Sequence, residues 1–258
     1  MDFTYVTTLK NNLTKFKPLT DIEAAVLRHN ERLNEIYNSN ALEGNTITLN
    51  ETRLILDDGI TIAGKSMREH LEIVNLLEAI EYAEDIVKRK QCLTETVIKE
   101  LHSLVYNKLG ADTRDRGNYR RLPVEIVGSQ HQPTLPQQIP YEMAKLIKWS
   151  QKEKEILHPV EYAAALHEKF AAIHPFIDGN GRTGRLLLNF ALTEAGYPSV
   201  IVKADNESRL IYNNTLETAH VTGDLEPFTR YINELVENKL ERMIDLLEKA
   251  NAYDHIER

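Results

Sequence analysis

Cysteine is nearly absent from this chain of 258 residues, in which Cys92 is the single example. One cysteine cannot form an internal disulfide or build a cysteine-rich metal site, so a reducing compartment is expected. The sequence also contains no secretory signal peptide, no apolar run long enough to span a bilayer, no internal repeat and no Pro/Gly-rich linker. These features are typical of a globular protein of the cytoplasm.

The chain also lacks an excess of positive charge, because the formal net charge is −8 and no block of basic residues is present. Surfaces that bind nucleic acid or anionic membranes need an excess of positive charge, so neither partner is expected. Hydrophobic residues make up 42% of the chain. That share is enough for one sizeable core with a small appended arm. We expect a helical arm over residues 1–38 and one domain over residues 39–258.

Hydrophobic periodicity predicts helices over most of the chain. Capping boxes at Thr20–Glu23 and Ser66–Glu69 begin two of them, which should extend to about Tyr37 and Lys90. Their predicted inward faces are Ile22, Val26, Leu27, Leu33 and Ile36 in the first and Leu71, Val74, Leu77 and Ile80 in the second. Further helices are predicted over residues 94–107, 140–155, 160–173 and 182–195, from residue 205 or 206, and from residue 227. Val124–Val127 is the one β-like run.

A tight loop links two of the predicted helices, and its sequence is His174-Pro-Phe-Ile-Asp-Gly-Asn-Gly-Arg-Thr-Gly-Arg185. The loop leads into a helix N-terminus, where backbone N–H groups and the helix dipole favour an anion. Residues 179–181 tolerate positive φ, so their N–H groups can form a nest for phosphate oxygens. Arg182 and Arg185 lie three residues apart on one helical face. Two guanidinium groups beside a nest suit a polyphosphate.

Asp178 and His174 add two further functions to this loop. Asp178 supplies a hard oxygen ligand, as is usual for Mg²⁺ whose other ligands are phosphates and water. The unperturbed pKa of His174 lets its imidazole accept a proton near neutrality, so it is the candidate general base. Each piece alone has a plain structural interpretation as a turn, a helix cap or a solvated face. The combination is far more specific than a lone glycine motif.

The spacing H-x-F-x-[DE]-G-N-G-R-x-x-R resembles the Fic family, in the form carried by members that transfer AMP. The resemblance spans roughly residues 39–235. It implies a mainly α fold, an orthogonal helical bundle with a small β-hairpin flap. It also implies ATP as substrate, Mg²⁺, and transfer of AMP to a Ser, Thr or Tyr hydroxyl of a protein target. The nucleotide contacts that it implies are Val127, Gly128, Ser129, Gln130, Asp178, Gly179, Asn180, Gly181, Arg182, Thr183, Gly184, Arg185, Tyr212 and Asn213.

Two of these regions match the family less specifically than the loop does. The segment around Val124–Val127 resembles the flap on which the protein target docks, although from the residues alone a structural hairpin is the simpler interpretation. Tyr212 matches an adenine contact, whereas Asn213 replaces an aromatic residue found in some members. His220 lies near a position where some members have asparagine. A homodimer is compatible with the sequence.

Residues 39–44 form a second motif, which predicts a short helix with Gly44 as its stop. Ser39 and Glu43 would then lie one turn apart on the same face. The plain interpretation is a helix end with a surface glutamate. The motif also resembles the inhibitory sequence [ST]-x-x-x-E-[GN] of Fic proteins that restrain themselves. We therefore expect a bidentate ion pair between Glu43 and Arg185, with Ser39 holding the short helix through a local hydrogen bond.

Three alternatives stay open from the residues. The same site could remove AMP from a target, with Glu43 positioning water, or it could move a phosphoryl group. A non-catalytic ATP-sensing adaptor would keep the nest and the arginines and would not need His174. A metallohydrolase that uses His158, His167 and His174 is disfavoured, because the sequence has no His-Glu-x-x-His motif. The position four residues after His167 holds Ala171.

Overall fold

The structure of the protein, a computed structural model, describes residues 1–16, 20–110 and 113–254. The described residues form α-helices and two short 3₁₀ turns, and none of them lies in a β-strand. The helices are α1 (Thr4–Leu13), α2 (Asp21–Leu42), α3 (Leu49–Asp58), α4 (Met67–Lys88), α5 (Glu95–Val105), α6 (Ile139–Glu153), α7 (Pro159–Ile173), α8 (Asn180–Glu194), α9 (Asn206–Thr222) and α10 (Glu226–Asp254). The expected mainly α fold is confirmed. Within the described ranges, no helix is long and apolar enough to cross a bilayer.

Helices α7 and α8 form the centre of the fold and pack against each other. Every residue from Arg182 to Leu192 in α8 is buried, as expected for a helix that is surrounded on all sides. α4 and α5 cover α8, while α6, α9 and α10 cover α7. The loop between α7 and α8 is therefore held by rigid elements at both ends.

The cap signals of the sequence predicted most helix starts correctly. The boxes at Thr20–Glu23 and Ser66–Glu69 have both of their reciprocal hydrogen bonds, and the Thr94 and Asp205 side chains cap α5 and α9. Helix α1 was predicted only as part of a helical arm without bounds of its own, and α3 was not predicted. The start of α3 had the same signal, because Thr48–Glu51 is a third capping box.

The inward faces of α2 and α4 were predicted only in part. In α2, Leu33 and Ile36 are buried, but Ile22 and Val26 are 78% and 57% exposed. The buried residues of α2 all lie in its C-terminal half, so its first turns project from the core. In α4, Ile80 is buried as predicted, but Val74 is exposed and Leu71 and Leu77 are only partly buried. Its buried apolar residues are Ile73, Leu76, Ala79, Ile80, Ala83 and Ile86.

The N-terminal residues pack against the C-terminal helix. Val6 and Leu9 of α1 are buried where α1 contacts α10. Lys10 Nζ donates a hydrogen bond of 2.6 Å to the carbonyl of Ala195, just after α8. Helix α2 then continues without a break to Leu42, so residues 39–44 are the end of this long helix and not a separate short one.

The expected β-hairpin is not present in the flap segment (residues 124–130). These residues form a turn in which Ser129 N–H donates to the carbonyl of Ile126, with Gly128 at φ 82°. Side chains hold the backbone at the end of this segment and on either side of it. Gln130 N–H donates to Glu217 Oε1 at 2.6 Å, and the Arg120 guanidinium donates to the carbonyls of Leu122 and Thr134. Side-chain contacts therefore fix this segment and its flanks, and no strand pairing is present among the described residues.

Candidate active site

The loop between α7 and α8 has a well-defined backbone. His174 ends α7 in the left-handed region, with φ 50° and ψ 59°, and Gly179 precedes α8 with φ 77°. The Asn180 side chain closes the loop, because its amide exchanges hydrogen bonds of 3.0 and 2.8 Å with the backbone of Phe176. The Phe176 ring stacks on His102 at a centroid distance of 3.7 Å. The side-chain hydrogen bonds of Asn180 and one buried aromatic residue therefore fix the loop.

The expected three-residue nest is wrong in detail. Of residues 179–181, only Gly179 has a positive φ, and Asn180 and Gly181 already belong to the first turn of α8. Asp178 Oδ1 accepts the N–H of Gly179 at 2.6 Å. The first N–H groups of a helix have no intrahelical acceptor, so those of α8 are the donors available to an anion here.

Asp178 is the carboxylate of this loop, and two arginines contact it. Arg68 Nη2 lies 2.5 Å from Oδ2, and Arg182 Nη2 lies 3.6 Å from Oδ1. Burial favours the neutral acid, but Arg182, the Gly179 N–H and Arg68 together lower the pKa of Asp178 below its ordinary value. The carboxylate is therefore ionised at neutral pH.

The donor set at Asp178 fits a metal ion that is shared with phosphates. Among the residues that the structure describes, no group of three or more His, Cys, Asp or Glu side chains could hold a metal on its own. The Asp178 side chain is 39% exposed and can offer one carboxylate oxygen. One carboxylate suits Mg²⁺, which keeps several waters and takes its remaining ligands from substrate phosphates.

Arg182 is buried and does not point into the open site. Its side chain is 2% exposed and lies 3.4 Å from Glu72 and 3.6 Å from Asp178. Among the described residues, its buried Nε and Nη1 atoms have no hydrogen-bond partner. Arg182 therefore places positive charge beneath the loop, while its planar fork remains inside the protein.

Arg185 is bound by both residues of the second sequence motif. Its Nη2 donates to Glu43 Oε1 at 2.7 Å, its Nε donates to Ser39 Oγ at 2.9 Å, and Nη2 also donates to the Ser39 carbonyl at 2.8 Å. The predicted pairing of Glu43 with Arg185 is present, but it is not bidentate. The predicted local role of Ser39 is wrong, because its hydroxyl accepts from Arg185 across the α2–α8 contact.

The Glu43 carboxylate lies directly against Gly181. A Cβ atom on Gly181 would collide with Glu43 Oε1 and would also approach Arg185 Nη1 at 3.2 Å. The absence of a side chain at this position therefore lets the carboxylate reach the first turn of α8.

His174 lines an open cavity of about 450 Å³. Glu43, Gly181 and Arg185 line the same cavity. Burial and the positive charge of Arg120 lower the pKa of His174 to about 4, against the opposing effect of Glu43. Arg120 also fixes the loop backbone, because its Nε donates to the His174 carbonyl at 2.8 Å. The imidazole is therefore neutral at pH 7 and able to accept a proton.

The flap segment and α9 form the other walls of this cavity. Val127, Gly128, Ser129, Tyr212, Asn213 and His220 all line it, whereas Asp178 and Arg182 lie outside its lining. Tyr212 is buried, and its hydroxyl lies 2.8 Å from His167 Nε2. Ser129 Oγ and Gln130 N–H both donate to the Glu217 carboxylate, which ties the flap segment to α9.

Four residues of the site were not found from the sequence. They are Arg68, which binds Asp178; His102, which supports the loop; Arg120, which lies beside His174; and Glu217, which holds the flap segment. His102 Nε2 donates to the Asp178 carbonyl at 2.9 Å, while its Nδ1 accepts the N–H of Gly117 at 3.1 Å. None of the four belongs to a local motif, because each acts on a residue distant in sequence.

Comparison with protein families gives one matching family model. Residues 92–192 match the Fic/DOC family. The match includes the whole loop and the first thirteen residues of α8, but it excludes residues 39–44 and Tyr212.

Individual relatives extend the similarity over most of the chain. "Protein adenylyltransferase Fic" of Nematostella vectensis is 39% identical over 208 residues, which are 80% of this chain and 47% of that protein. A Fic domain containing signaling protein from Bacteroides thetaiotaomicron is 29% identical with a TM-score of 0.86, covering 95% of this chain and 98% of that one. Fic-1 (residues 134–508) from C. elegans is 30% identical with a TM-score of 0.83, covering 95% and 71%. The chain spans less than half the length of the curated relatives that it matches.

Proposed function

This chain belongs to the Fic/DOC family, and from that membership we propose that it is a protein adenylyltransferase. It moves AMP from ATP to a Ser, Thr or Tyr hydroxyl of a protein target and releases pyrophosphate. The observation that carries the proposal is the neutral His174 beside the first turn of α8 in one open cavity. That arrangement combines a proton acceptor with an anion-binding helix N-terminus.

The chemical step follows from these two elements. The target hydroxyl oxygen attacks the α-phosphorus, forming a new P–O bond, and its proton passes to the His174 imidazole. The bond between the α-phosphorus and the bridging oxygen breaks, and pyrophosphate leaves with that electron pair. The N–H groups of α8 and the Arg185 guanidinium stabilise the negative charge that develops on the leaving group. The product is a phosphodiester that links AMP to the target side chain.

Asp178 would hold Mg²⁺ together with phosphate oxygens of the nucleotide. The ion supplies positive charge that neutralises the triphosphate. The buried Arg182 contributes from beneath the loop, because it lies 3.6 Å from Asp178 and stabilises that carboxylate in its ionised form.

The inhibitory segment (residues 39–44) restrains this activity. Its Glu43 carboxylate occupies the Arg185 fork and lies against Gly181, where a phosphate oxygen would otherwise bind. The pair is partly withdrawn from water, since the Arg185 side chain is 8% exposed and the Glu43 side chain is 33% exposed, so its energy falls between those of an exposed and a fully desolvated pair. Deleting one partner of a desolvated pair changes its energy by roughly 3 to 5 kcal/mol, whereas an exposed pair is worth about 1 kcal/mol or less. The restraint is therefore large enough to matter.

The target docks on the flap segment. Val127 is fully exposed there and lies at the edge of the cavity that contains His174. An extended stretch of target backbone can pair with the exposed backbone of residues 124–127 and so place its hydroxyl near the imidazole. The proposed catalytic domain spans residues 39–258, and residues 1–38 are the proposed arm, whose helix α2 continues into that domain without a break.

Labelled ATP tests the reaction directly. The Glu43→Gly protein is incubated with a cell lysate and either α- or γ-labelled ATP. We expect protein-bound label only from the α-labelled nucleotide, at least about tenfold more than with the parent chain. The matched control is Glu43→Gly with His174→Ala, which should bind nucleotide and transfer no label. Label from γ-labelled ATP would indicate phosphoryl transfer instead, and nucleotide binding without any label would indicate an adaptor.

Removal of AMP is a second candidate, and the position of Glu43 favours it. This carboxylate lies in the same cavity as His174, where it can orient a water molecule. Incubation of an AMP-modified target with the parent chain distinguishes the two reactions. Release of free AMP by the parent, lost in Glu43→Gly, would support removal.

A further inference from the structure

Arg68 lies outside the loop of residues 174–185 but contacts the carboxylate of Asp178 in that loop. It lies in the first turn of α4, where Nη2 is 2.5 Å from Asp178 Oδ2 and Nε is 3.1 Å from Glu72 Oε1. Asp178 lies 110 positions later in the chain. Arg68 therefore joins α4 to the oxygen that would otherwise face a metal ion.

Arg68 is much more exposed to solvent than Arg182 and Arg185. The side chain of Arg68 is 49% exposed, whereas Arg182 is 2% exposed and Arg185 is 8% exposed. Arg182 is held between Glu72 and Asp178, and Arg185 is held by the inhibitory segment. Of these three, Arg68 can move most easily, because a partly exposed ion pair is weak enough to exchange with solvent or with another ion.

We propose that Arg68 substitutes for the divalent cation on Asp178 and sets how strongly nucleotide binding depends on that cation. The inference rests on the proposed function, because it assumes a nucleotide at this loop. Arg68 is thus a positioning residue for the metal-binding carboxylate and not a catalytic residue.

Electrostatics gives the direction of the effect. Without a metal, Asp178 would repel the phosphates of ATP, and Arg68 neutralises that carboxylate so that metal-free nucleotide can still bind. When Mg²⁺ enters with the nucleotide, it must displace Arg68 from Oδ2. Arg68 therefore helps metal-free binding and opposes metal-dependent binding, so its removal should increase the dependence on metal.

A purely structural ion pair makes a different prediction. If Arg68 only joined α4 to the loop, its loss would weaken binding equally with and without metal. The ratio of the two dissociation constants, measured in EDTA and in Mg²⁺, is therefore the informative quantity. This ratio does not depend on turnover.

The experiment measures binding of a non-hydrolysable ATP analogue by calorimetry in the Glu43→Gly background. We expect Arg68→Ala to raise the ratio of the EDTA dissociation constant to the Mg²⁺ dissociation constant by about fivefold or more. Arg68→Lys should restore most of the parent ratio, because it keeps the charge. Arg68→Gln serves as a second neutral variant if Arg68→Ala unfolds.

Two controls isolate the contact. Arg89→Ala removes an exposed arginine from the other end of α4, where it pairs with Asp85, and should leave the ratio unchanged. In an Asp178→Asn background, Arg68→Ala should also have no effect on the ratio, since the carboxylate that Arg68 neutralises is gone.

An unchanged or lower ratio in Arg68→Ala, with analogue binding intact, would overturn this inference and leave the proposed function standing. Failure of the Glu43→Gly chain to bind the analogue in either condition would overturn both.

Discussion

Arg185 Nε and Ser39 Oγ lie 2.9 Å apart, so the arginine is held by the serine as well as by the glutamate of the inhibitory segment. Successive turns of α2 each contact α8. Glu35 accepts from Asn189, Ser39 accepts from Arg185, and Glu43 accepts from Arg185 while it covers Gly181. Because these residues are spaced four apart on α2, one face of a single helix carries the whole contact.

Ser39→Ala should partly release the inhibition. The hydroxyl is buried and accepts from a charged donor, and such hydrogen bonds contribute about 1.5 to 3 kcal/mol. Because the Ser39 carbonyl still accepts from Arg185, we expect only part of this energy to be lost, so that protein-bound AMP rises by about threefold to tenfold over the parent and by less than in Glu43→Gly. Ser150→Ala, which removes a buried hydroxyl that bonds Tyr162, is the matched control and should not raise transfer. If Ser39→Ala and the parent have equal activity, Ser39 is only a residue of α2 and has no part in the inhibition.

Local features of the fold and site could be predicted from the sequence. Caps such as Thr94 and the loop of residues 174–185 depend on residues within a few positions of each other, so the chain encodes them directly. The family match was predicted from the loop alone. The inhibitory contact of Glu43 with Arg185 was also anticipated, although it spans 142 positions, because the family resemblance supplied the pairing.

The remaining features depend on packing between distant helices. Nothing near Arg182 in the sequence indicates that its guanidinium is buried beside Glu72, and nothing near Arg68 indicates its contact with Asp178. Residues 124–127 have a β pattern but form no strand, because the chain turns at Gly128 and Glu217 from α9 accepts the N–H of Gln130 just beyond the run. Tertiary partners therefore overrode a correct local preference.

The imidazole of His174 should titrate far below an ordinary histidine. An unperturbed histidine has a pKa near 6.5, whereas burial and then Arg120 lower that of His174 to about 4. A proton acceptor must be neutral, so the base is available throughout the neutral range and is lost only in acid. NMR titration of the histidine Cε1 protons checks this, with His174→Ala identifying the resonance. A midpoint near 6.5 would contradict the burial argument.

Gly181→Ala should have opposite effects in two backgrounds. In the parent, the new Cβ collides with Glu43, so we expect a lower melting temperature. In Glu43→Gly that atom is gone, and Gly181 has no positive φ that would penalise alanine. The preference of about 0.5 to 1 kcal/mol for alanine over glycine in a helix interior applies only in part in the first turn of α8, and a Cβ still approaches Arg185 Nη1 at 3.2 Å, so the substitution should then be neutral or slightly stabilising. A double-mutant cycle of unfolding free energies measures the coupling. Additive effects would mean that the carboxylate does not occupy this position.

Glu35 should make the α2–α8 contact sensitive to pH. Burial raises the pKa of Glu35 to about 7, Glu84 and Glu31 act in the same direction, and the hydrogen bond from Asn189 and the charge of Arg32 oppose them. Because the folded-state pKa lies above the unfolded value, the folded state retains a proton that the unfolded chain releases. The stability contribution is therefore complete below about pH 4.5 and is lost as pH rises through 7.

Glu35→Gln removes this charge and keeps an oxygen that can accept from Asn189. We expect the variant and the parent to differ little at pH 5, and the variant to be more stable at pH 8 by about 1 to 2 kcal/mol, since Glu35 is partly exposed and water reduces the full penalty. Denaturant unfolding at both pH values measures the difference. Glu78→Gln, at an exposed position in the middle of α4, is the control and should show no such widening. The variant and the parent could instead differ by the same amount from pH 5 to pH 8. That result would show that Glu35 is ionised throughout this range and that the hydrogen bond from Asn189 is enough to stabilise its charge in the α2–α8 contact.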